Sequence, residues 1–271
     1  MDQVQLTTFQ AVIGTGSFEA VARQLHVTPS AVSQRIKALE SAVGQVLVRR
    51  AKPCVATPAG EALVRFAGQV ELLEREALAQ ARDGARVSIV VNADSLDTWF
   101  LPALAAVPGP SYELHTDDQD YTADLLRSGT AMAAVTGEHV AVQGCRLEPL
   151  GAMRYLPVGS DDPGQPMIVY NRKDRLQHRF LDAIGRDADL PIHYVPAAAA
   201  FVEAIRLGLG WGMVPEQRAL PDIAAGRYRP LFPDKYLDVP LYWQYWKIES
   251  AVLTDLTTAV RTAAAAVLRR S

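Results

Sequence analysis

Cysteine is almost missing from this chain: Cys54 and Cys145 are the only two among 271 residues. Two cysteines so far apart cannot frame a disulfide-stapled fold and match no metal-ligand spacing, so an apolar core must hold the structure and a reducing cytoplasm is the expected compartment. Long apolar runs are missing too. No stretch approaches the roughly 18 consecutive apolar residues that a transmembrane helix needs, and the first residues carry neither the basic start nor the apolar run of a secretory signal. No membrane partner is expected. A general excess of positive charge is also absent: the formal net charge is -3 and the pI about 6.0, which alone argues against a chain coated in cations for nucleic acid.

Signatures of catalysis are equally scarce. "GTGSFE" at Gly14 and "GLGWG" at Gly208 hold glycine pairs, yet neither follows a strand and opens a helix as a dinucleotide fingerprint must, so both read as turn and cap glycines. No phosphate-binding loop or zinc-binding helix motif occurs. His26, His115, His139, His178 and His193 are scattered, and Ser95 beside Asp94 lacks the glycine-serine-glycine elbow of a hydrolase nucleophile. No catalytic residue, cofactor or metal is expected, and the chain does not read as an enzyme.

What is present begins with an uneven charge distribution in a globular composition, 49% hydrophobic and 21% charged, long enough for more than one core. Residues 1–60 hold six cations (Arg23, Arg35, Lys37, Arg49, Arg50, Lys52) and three acids (Asp2, Glu19, Glu40), a balance of +3. The other 211 residues therefore carry 21 basic and 27 acidic side chains, or -6. A basic module is joined to an acidic one.

Within the basic module, "VTPSAVSQRIKALE" places Val32, Ile36 and Leu39 on one helical stripe and Ser30, Ser33, Gln34 and Lys37 on another side. Thr28 followed by Pro29 is a start signal, a hydroxyl N-cap before a proline that loses nothing at the first helical position. Ser17 can cap a preceding helix whose Phe18, Val21, Ala22 and Leu25 share one face, and only "HV" separates the two. Two short helices about a tight corner form a helix-turn-helix, whose second helix offers hydrogen-bonding side chains and cations to the major groove. The plainer alternative is an amphipathic surface helix with a solvated face. A first helix over Gln3–Ile13 completes a three-helix unit, and the extended "GQVLVRRAKPCVAT" carries Arg49, Arg50 and Lys52 at its tip, as a wing that meets phosphates would.

From Thr57-Pro58 a long helix is expected to run to about Arg82. Leu63, Phe66, Val70, Leu73 and Ala77 are spaced 3, 4, 3, 4, a heptad seam suited to dimerisation; a core helix within one domain is the alternative. Beyond "DGAR", "VSIVVNA", "YELHT", "AMAAVT", "PMIVYN", "IHYVP" and "WGMVPE" alternate with helices over residues 95–107, 121–128, 176–184 and 197–207, before "PLYWQYW" and a last helix over residues 250–269. That order implies an α/β fold with a mainly parallel sheet.

"GSFEAVARQLHVTPSAVSQRIKALE", "LVRR" and "ATPAG", followed by a linker helix and two α/β halves, resemble the LysR-type transcriptional regulators. "VNADSLDTWFLPAL", "DDQDYTADLLRSG", "GAMRYLPV", "GLGWGMVPE" and "DVPLYWQYWKIES" are similar to the ArgP/LysG branch, which senses basic amino acids and controls their export. The resemblance covers essentially the whole chain, although the connections at "LPVGS-DDPGQP" and "AVPGPS" are shorter than is usual in that branch. It implies a winged helix-turn-helix DNA-binding domain (1–58), a linker/dimerisation helix (59–86) and an effector-binding domain (87–271). The last would comprise two Rossmann-like subdomains of periplasmic-binding-protein type, at about 87–159 with 239–271 and at about 160–238. It also implies a cytoplasmic dimer or tetramer on operator DNA, working with RNA polymerase and responding to lysine or arginine. A LysR-type regulator answering a different small effector is the alternative.

Specific residues can be assigned to these tasks. Ser30, Ser33, Gln34 and Arg35 suit base edges, with Thr28 and Lys37 in the same DNA-facing set, and Arg49, Arg50 and Lys52 suit phosphates. An amino acid ligand needs partners for a carboxylate and for cations. Asp94-Ser95 at the end of "SIVVNA" and Pro196-Ala197 offer helix starts for the anion. Asp94 and the run Asp117, Asp118, Asp120 offer carboxylates, and Thr136 ends a neighbouring strand. A solvated turn for the acidic run and plain helix capping for Asp94 and Ser95 are the structural alternatives.

Overall fold

The computed structural model describes residues 1–79, 86–116, 122–160, 164–186 and 189–270, without the side chains of 75–79, 122 and 123. The amino-terminal head consists of α1 (Gln3–Thr15), α2 (Phe18–Gln24), α3 (Pro29–Val43) and a small wing of β1 (Val48–Arg49) and β2 (Val55–Ala56). Its start signals work as the residues suggest: Ala20 N–H donates to the Ser17 hydroxyl and Ala31 N–H to the Thr28 hydroxyl, each at 3.2 Å. Phe9, Val12, Val21, Val32, Ile36 and Leu39 are fully buried against one another, which leaves the polar side of α3 facing outward.

Helix α4 (Pro58–Ala79) begins where the Thr57 hydroxyl accepts from Gly60 N–H. It belongs to both parts of the molecule. Val64 and Ala67 complete the core of the head, whereas Leu72 is buried in the core of the α/β domain. Gly68 lies against the edge of the Trp246 ring; a β-carbon there would stand 2.7 Å from it. Arg65 Nη1 also donates to the Arg127 carbonyl at 2.7 Å. The heptad seam is one apolar stripe of this helix, and the core-helix alternative holds for another. The structure shows an inward stripe of Val64, Ala67, Gly68 and Leu72, in which alanine and glycine count as apolar because they permit close approach.

The α/β domain follows in the order β3 (Arg86–Val91), α5 (Ala93–Ser95), a π-turn (Leu96–Phe100), α6 (Leu101–Ala105), β4 (Ser111–Thr116), α7 (Thr122–Arg127), β5 (Ala133–Thr136) and β6 (Cys145–Gly159). Then come β7 (Met167–Val169), α8 (Leu176–Ala183), β8 (Ile192–Tyr194), α9 (Ala198–Arg206), β9 (Gly212–Pro215), α10 (Glu216–Ala224), β10 (Arg229–Pro230), β11 (Leu237–Trp246) and α11 (Ala251–Val267). Pro102 has no N–H for the carbonyl of residue 98, and the wide turn lies just ahead of it.

Among the described residues the large sheet has seven strands in the order β10-β6-β11-β5-β3-β4, with β9 also on β6. Only β5-β3 and β3-β4 are parallel there, so the expected mainly parallel sheet is in fact mixed. The cause is the antiparallel pair β6 and β11, long strands that cross between the halves: one end of β6 lies near β5, the other pairs with β9 and β10. The register shifts where Leu241 and Tyr242 face Gly151 and Pro149. Gly151 has φ +124°, and a β-carbon would meet the Arg269 carbonyl at 2.6 Å, so the crossing needs glycine at that point. In the second half β7 and β8 are parallel, and a bridge from Met167 to Trp211 ties β7 towards β9.

Candidate functional site

Two surfaces follow from this fold. On the head, Thr28, Ser30, Gln34 and Lys37 are exposed and Ser33 and Arg35 half-buried on α3 and its cap. Thr28 and Ser30 share a hydroxyl contact at 2.9 Å, and Arg35 Nη1 reaches the Thr8 hydroxyl of α1 at 3.3 Å, which braces that side chain. Arg49, Arg50 and Lys52 are exposed on the wing, with the Arg50 guanidinium 4.9 Å from the centre of the Phe18 ring. All nine DNA-facing candidates therefore lie on the head, six along α3 and its cap and three on the wing. Of the seam, Leu63 packs towards the head, Val70 is half-buried, and Phe66 and Leu73 are 42% and 41% exposed; the Ala77 side chain lies outside the described residues.

The second surface is a cavity of about 160 Å³ between the two halves of the α/β domain. Asn92, Ala93, Asp94 and Asp97 enter it just after β3, Thr116 at the end of β4, Tyr170, Asn171 and Asp174 after β7, and Pro215 at the end of β9 with Arg218 just beyond it. These are carboxyl ends of strands, where open α/β sheets place their ligands. Asp94 Oδ2 accepts from the Tyr155 hydroxyl of β6 at 2.7 Å, and Asp174 accepts backbone N–H bonds from Tyr170 and Leu176. Gln177 Nε2 donates to the Ile168 carbonyl, whereas Gln177 Oε1 and Asn92 Oδ1 are buried without a hydrogen-bond partner. Across the cavity Arg218 Nε stands 3.0 Å from Asp97 Oδ2.

Helix α10, which carries Arg218, is fixed to α9 through Asp222. Burial would raise that carboxyl's pKa, but hydrogen bonds from Arg227 and Arg206 outweigh it and hold it below the ordinary range.

The predicted effector residues fare unequally. Asp94 lines the cavity. Ser95 does not: the helix begins at Ala93 after Asn92, so Ser95 is turned into the protein, fully buried with its hydroxyl unpartnered. Thr136 is also fully buried, in the sheet beside β11, and its hydroxyl accepts from Glu138 N–H; Thr116 occupies the lining position. Pro196 and Ala197 are exposed ahead of α9, and Ala198 forms the wall. Asp117, Asp118 and Asp120 lie outside the described residues. Asp97, Asp174, Gln177 and Arg218 were not expected from the sequence. Their signal was position just past β3, β7 and β9.

Residues 4–61 match the family described as "Bacterial regulatory helix-turn-helix protein, lysR family", and residues 80–265 the "LysR substrate binding domain". The chain is 46% identical to "HTH-type transcriptional regulator LysG" of Mycobacterium tuberculosis over 99% of its own length and 95% of the relative's. It superposes on the crystal structure of ArgP from Mycobacterium tuberculosis with TM-score 0.90 and 46% identity, covering 100% of both chains. For full-length LysG from Corynebacterium glutamicum with bound effector Arg the values are 0.83 and 41%, over 99% of this chain and 100% of that one. None of the helices described is long and apolar enough to cross a membrane.

Proposed function

Because the chain belongs to the LysR family of bacterial transcriptional regulators, and is thus a DNA-binding regulator and not an enzyme, we propose that it senses a basic amino acid, arginine or lysine. In this reading it controls an amino acid exporter gene from operator DNA as a cytoplasmic dimer or tetramer, in concert with RNA polymerase. The relatives are LysG and ArgP proteins, and one LysG structure contains arginine.

The observation that carries the reading is the charge of the cavity. Among its described lining residues are three carboxylates, Asp94, Asp97 and Asp174, and one cation, Arg218. A basic amino acid brings one carboxylate and two cations, so it meets this set with opposite signs. Ser30, Ser33, Gln34 and Arg35 read base edges in this account while Arg49, Arg50 and Lys52 hold phosphates; Phe66, Val70 and Leu73 form the contact between two copies.

Thermal-shift titration with arginine, lysine, ornithine, leucine and glutamate tests the effector. A ligand that binds only the folded chain raises its stability by RT ln(1 + [L]/Kd). The three basic amino acids should raise the melting temperature with concentration. Equal stabilisation by leucine or glutamate refutes the basic effector.

A further inference from the structure

The ion pair in the cavity lining differs from those that hold the fold together. Arg154 meets Asp238 through two nitrogens at 2.8 Å each, and Arg269 grips Glu216 in the same forked manner. Arg218 instead approaches Asp97 through Nε, at 3.0 Å, and that N–H is buried without an aligned hydrogen bond. The pair is a charge contact out of line. Its side chains are 40% and 32% exposed, so water screens it and it adds little to the stability of the fold. It also spans the two halves of the domain: Asp97 follows β3, and Arg218 stands on α10 after β9.

We propose that the ligand's α-amino acid headgroup inserts into this pair, its carboxylate taking the Arg218 guanidinium and its α-ammonium taking Asp97. This rests on the amino acid reading above and specifies which residues recognise the end common to every amino acid. The carboxylate and ammonium of an amino acid sit one carbon apart with the same two charges that Asp97 and Arg218 present to each other, so insertion exchanges one poorly aligned contact for two aligned ones. The guanidinium fork suits a carboxylate bidentately, a geometry it does not achieve with Asp97. Asp94, which keeps the Tyr155 hydroxyl, and Asp174, which keeps the N–H groups of Tyr170 and Leu176, then meet the side-chain cation. A protein-to-protein contact across the cleft becomes a contact through the ligand, so occupancy changes what joins the halves.

Calorimetric titration of the full chain with arginine, agmatine (no carboxylate) and 5-guanidinopentanoate (no α-ammonium) separates the two contacts. Arg218→Gln should weaken arginine and 5-guanidinopentanoate by about tenfold or more while agmatine stays within about twofold. Asp97→Asn should weaken arginine and agmatine similarly and spare 5-guanidinopentanoate. Both variants without ligand should melt within about 2 °C of the native chain, because the lost pair is weak. Uniform weakening of all three ligands, or a fall of more than about 5 °C in the unliganded chain, would identify a structural strut and overturn the proposal. Leucine bound by the native chain as tightly as arginine, and weakened by both variants, would support the headgroup exchange and refute only the preference for a basic side chain. If the native chain binds none of these compounds, both readings fall.

Discussion

The proposed DNA-facing surface of the head and the cavity of the α/β domain are assembled in opposite ways. Ser30, Ser33, Gln34 and Lys37 occupy little more than two turns of one helix, and the same three-to-four-residue spacing that buries Val32, Ile36 and Leu39 turns them outward. The cavity takes Asp94 and Asp97 from one half, Asp174 and Arg218 from the other, and an anchor for Asp94, Tyr155, from the strands that cross between them. One surface needs a helix. The other needs a sheet to be complete before its charges meet, so it can respond to a change in how the halves stand. Helix α4 touches both, with Val64 in one core and Leu72 in the other, so a change on it bears on both regions.

Phe66→Glu should have the largest effect. Phe66 is 42% exposed within the chain, so the change leaves both cores intact while placing a charge in the proposed seam between copies. An unpaired charge buried there should cost about 3 kcal/mol or more of association energy. Sedimentation should show monomers and operator binding should collapse, while arginine still raises the melting temperature. A dimer of normal DNA affinity would remove α4 from the contact.

Gln34→Ala probes the head alone. Loss of one base-reading side chain should weaken specific binding by about 1–3 kcal/mol and blur preference at one or two base pairs. Selection of binding sites from a random pool reads this directly, and unchanged preference would show that α3 is not the reader. Arginine binding should be untouched, because Gln34 belongs to none of the α/β cores.

Gly68→Ala tests the joint between the regions. In a free helix alanine outranks glycine by about 1 kcal/mol. Here the new β-carbon would stand 2.7 Å from the ring of Trp246, which is 1% exposed and cannot swing aside. The sign should reverse, to a net loss of about 1–2 kcal/mol in urea unfolding, with a shift in tryptophan emission. A stabilised variant would mean that α4 is not docked on the α/β domain.

The same contrast governs what could be read from the amino-acid string. The head was legible almost residue by residue, because caps at Ser17 and Thr28 and the periodicity of α3 are local facts. The alternation of strands and helices gave the class of the second domain but neither β6 nor α10. The stretch "CRLEPLGAMRYLPVG" contains two prolines and two glycines that disguise a strand, and Pro221 interrupts the pattern of α10, so Arg218 was never placed on a helix beside a strand end. Ser95 failed for a finer reason. Strand ends locate a loop, but each residue turns about 100° further round the helix, and a start at Ala93 instead of Ser95 puts the hydroxyl in the core and Asp94 and Asp97 in the cavity. Sequence likewise cannot say that Thr116, not Thr136, lines the cavity, because both close strands of one sheet.

Arg50→Ala should give the smallest change, and it separates two kinds of DNA contact within the head. The side chain is exposed on the wing, with its guanidinium over the Phe18 ring at 4.9 Å. That cation–π contact is worth about 0.5–1 kcal/mol at such a site, enough to hold the cation beside the recognition unit without making the fold depend on it. A phosphate partner carries no sequence information and releases counterions when bound. The variant should therefore bind specific and random duplexes more weakly by the same factor, with a slope of log affinity against log salt shallower by about one. Titrations of both duplexes at several salt concentrations measure this. If specific binding alone suffers, Arg50 reads bases and the division of labour between wing and α3 is wrong; if neither changes, the wing's cations do not meet the backbone.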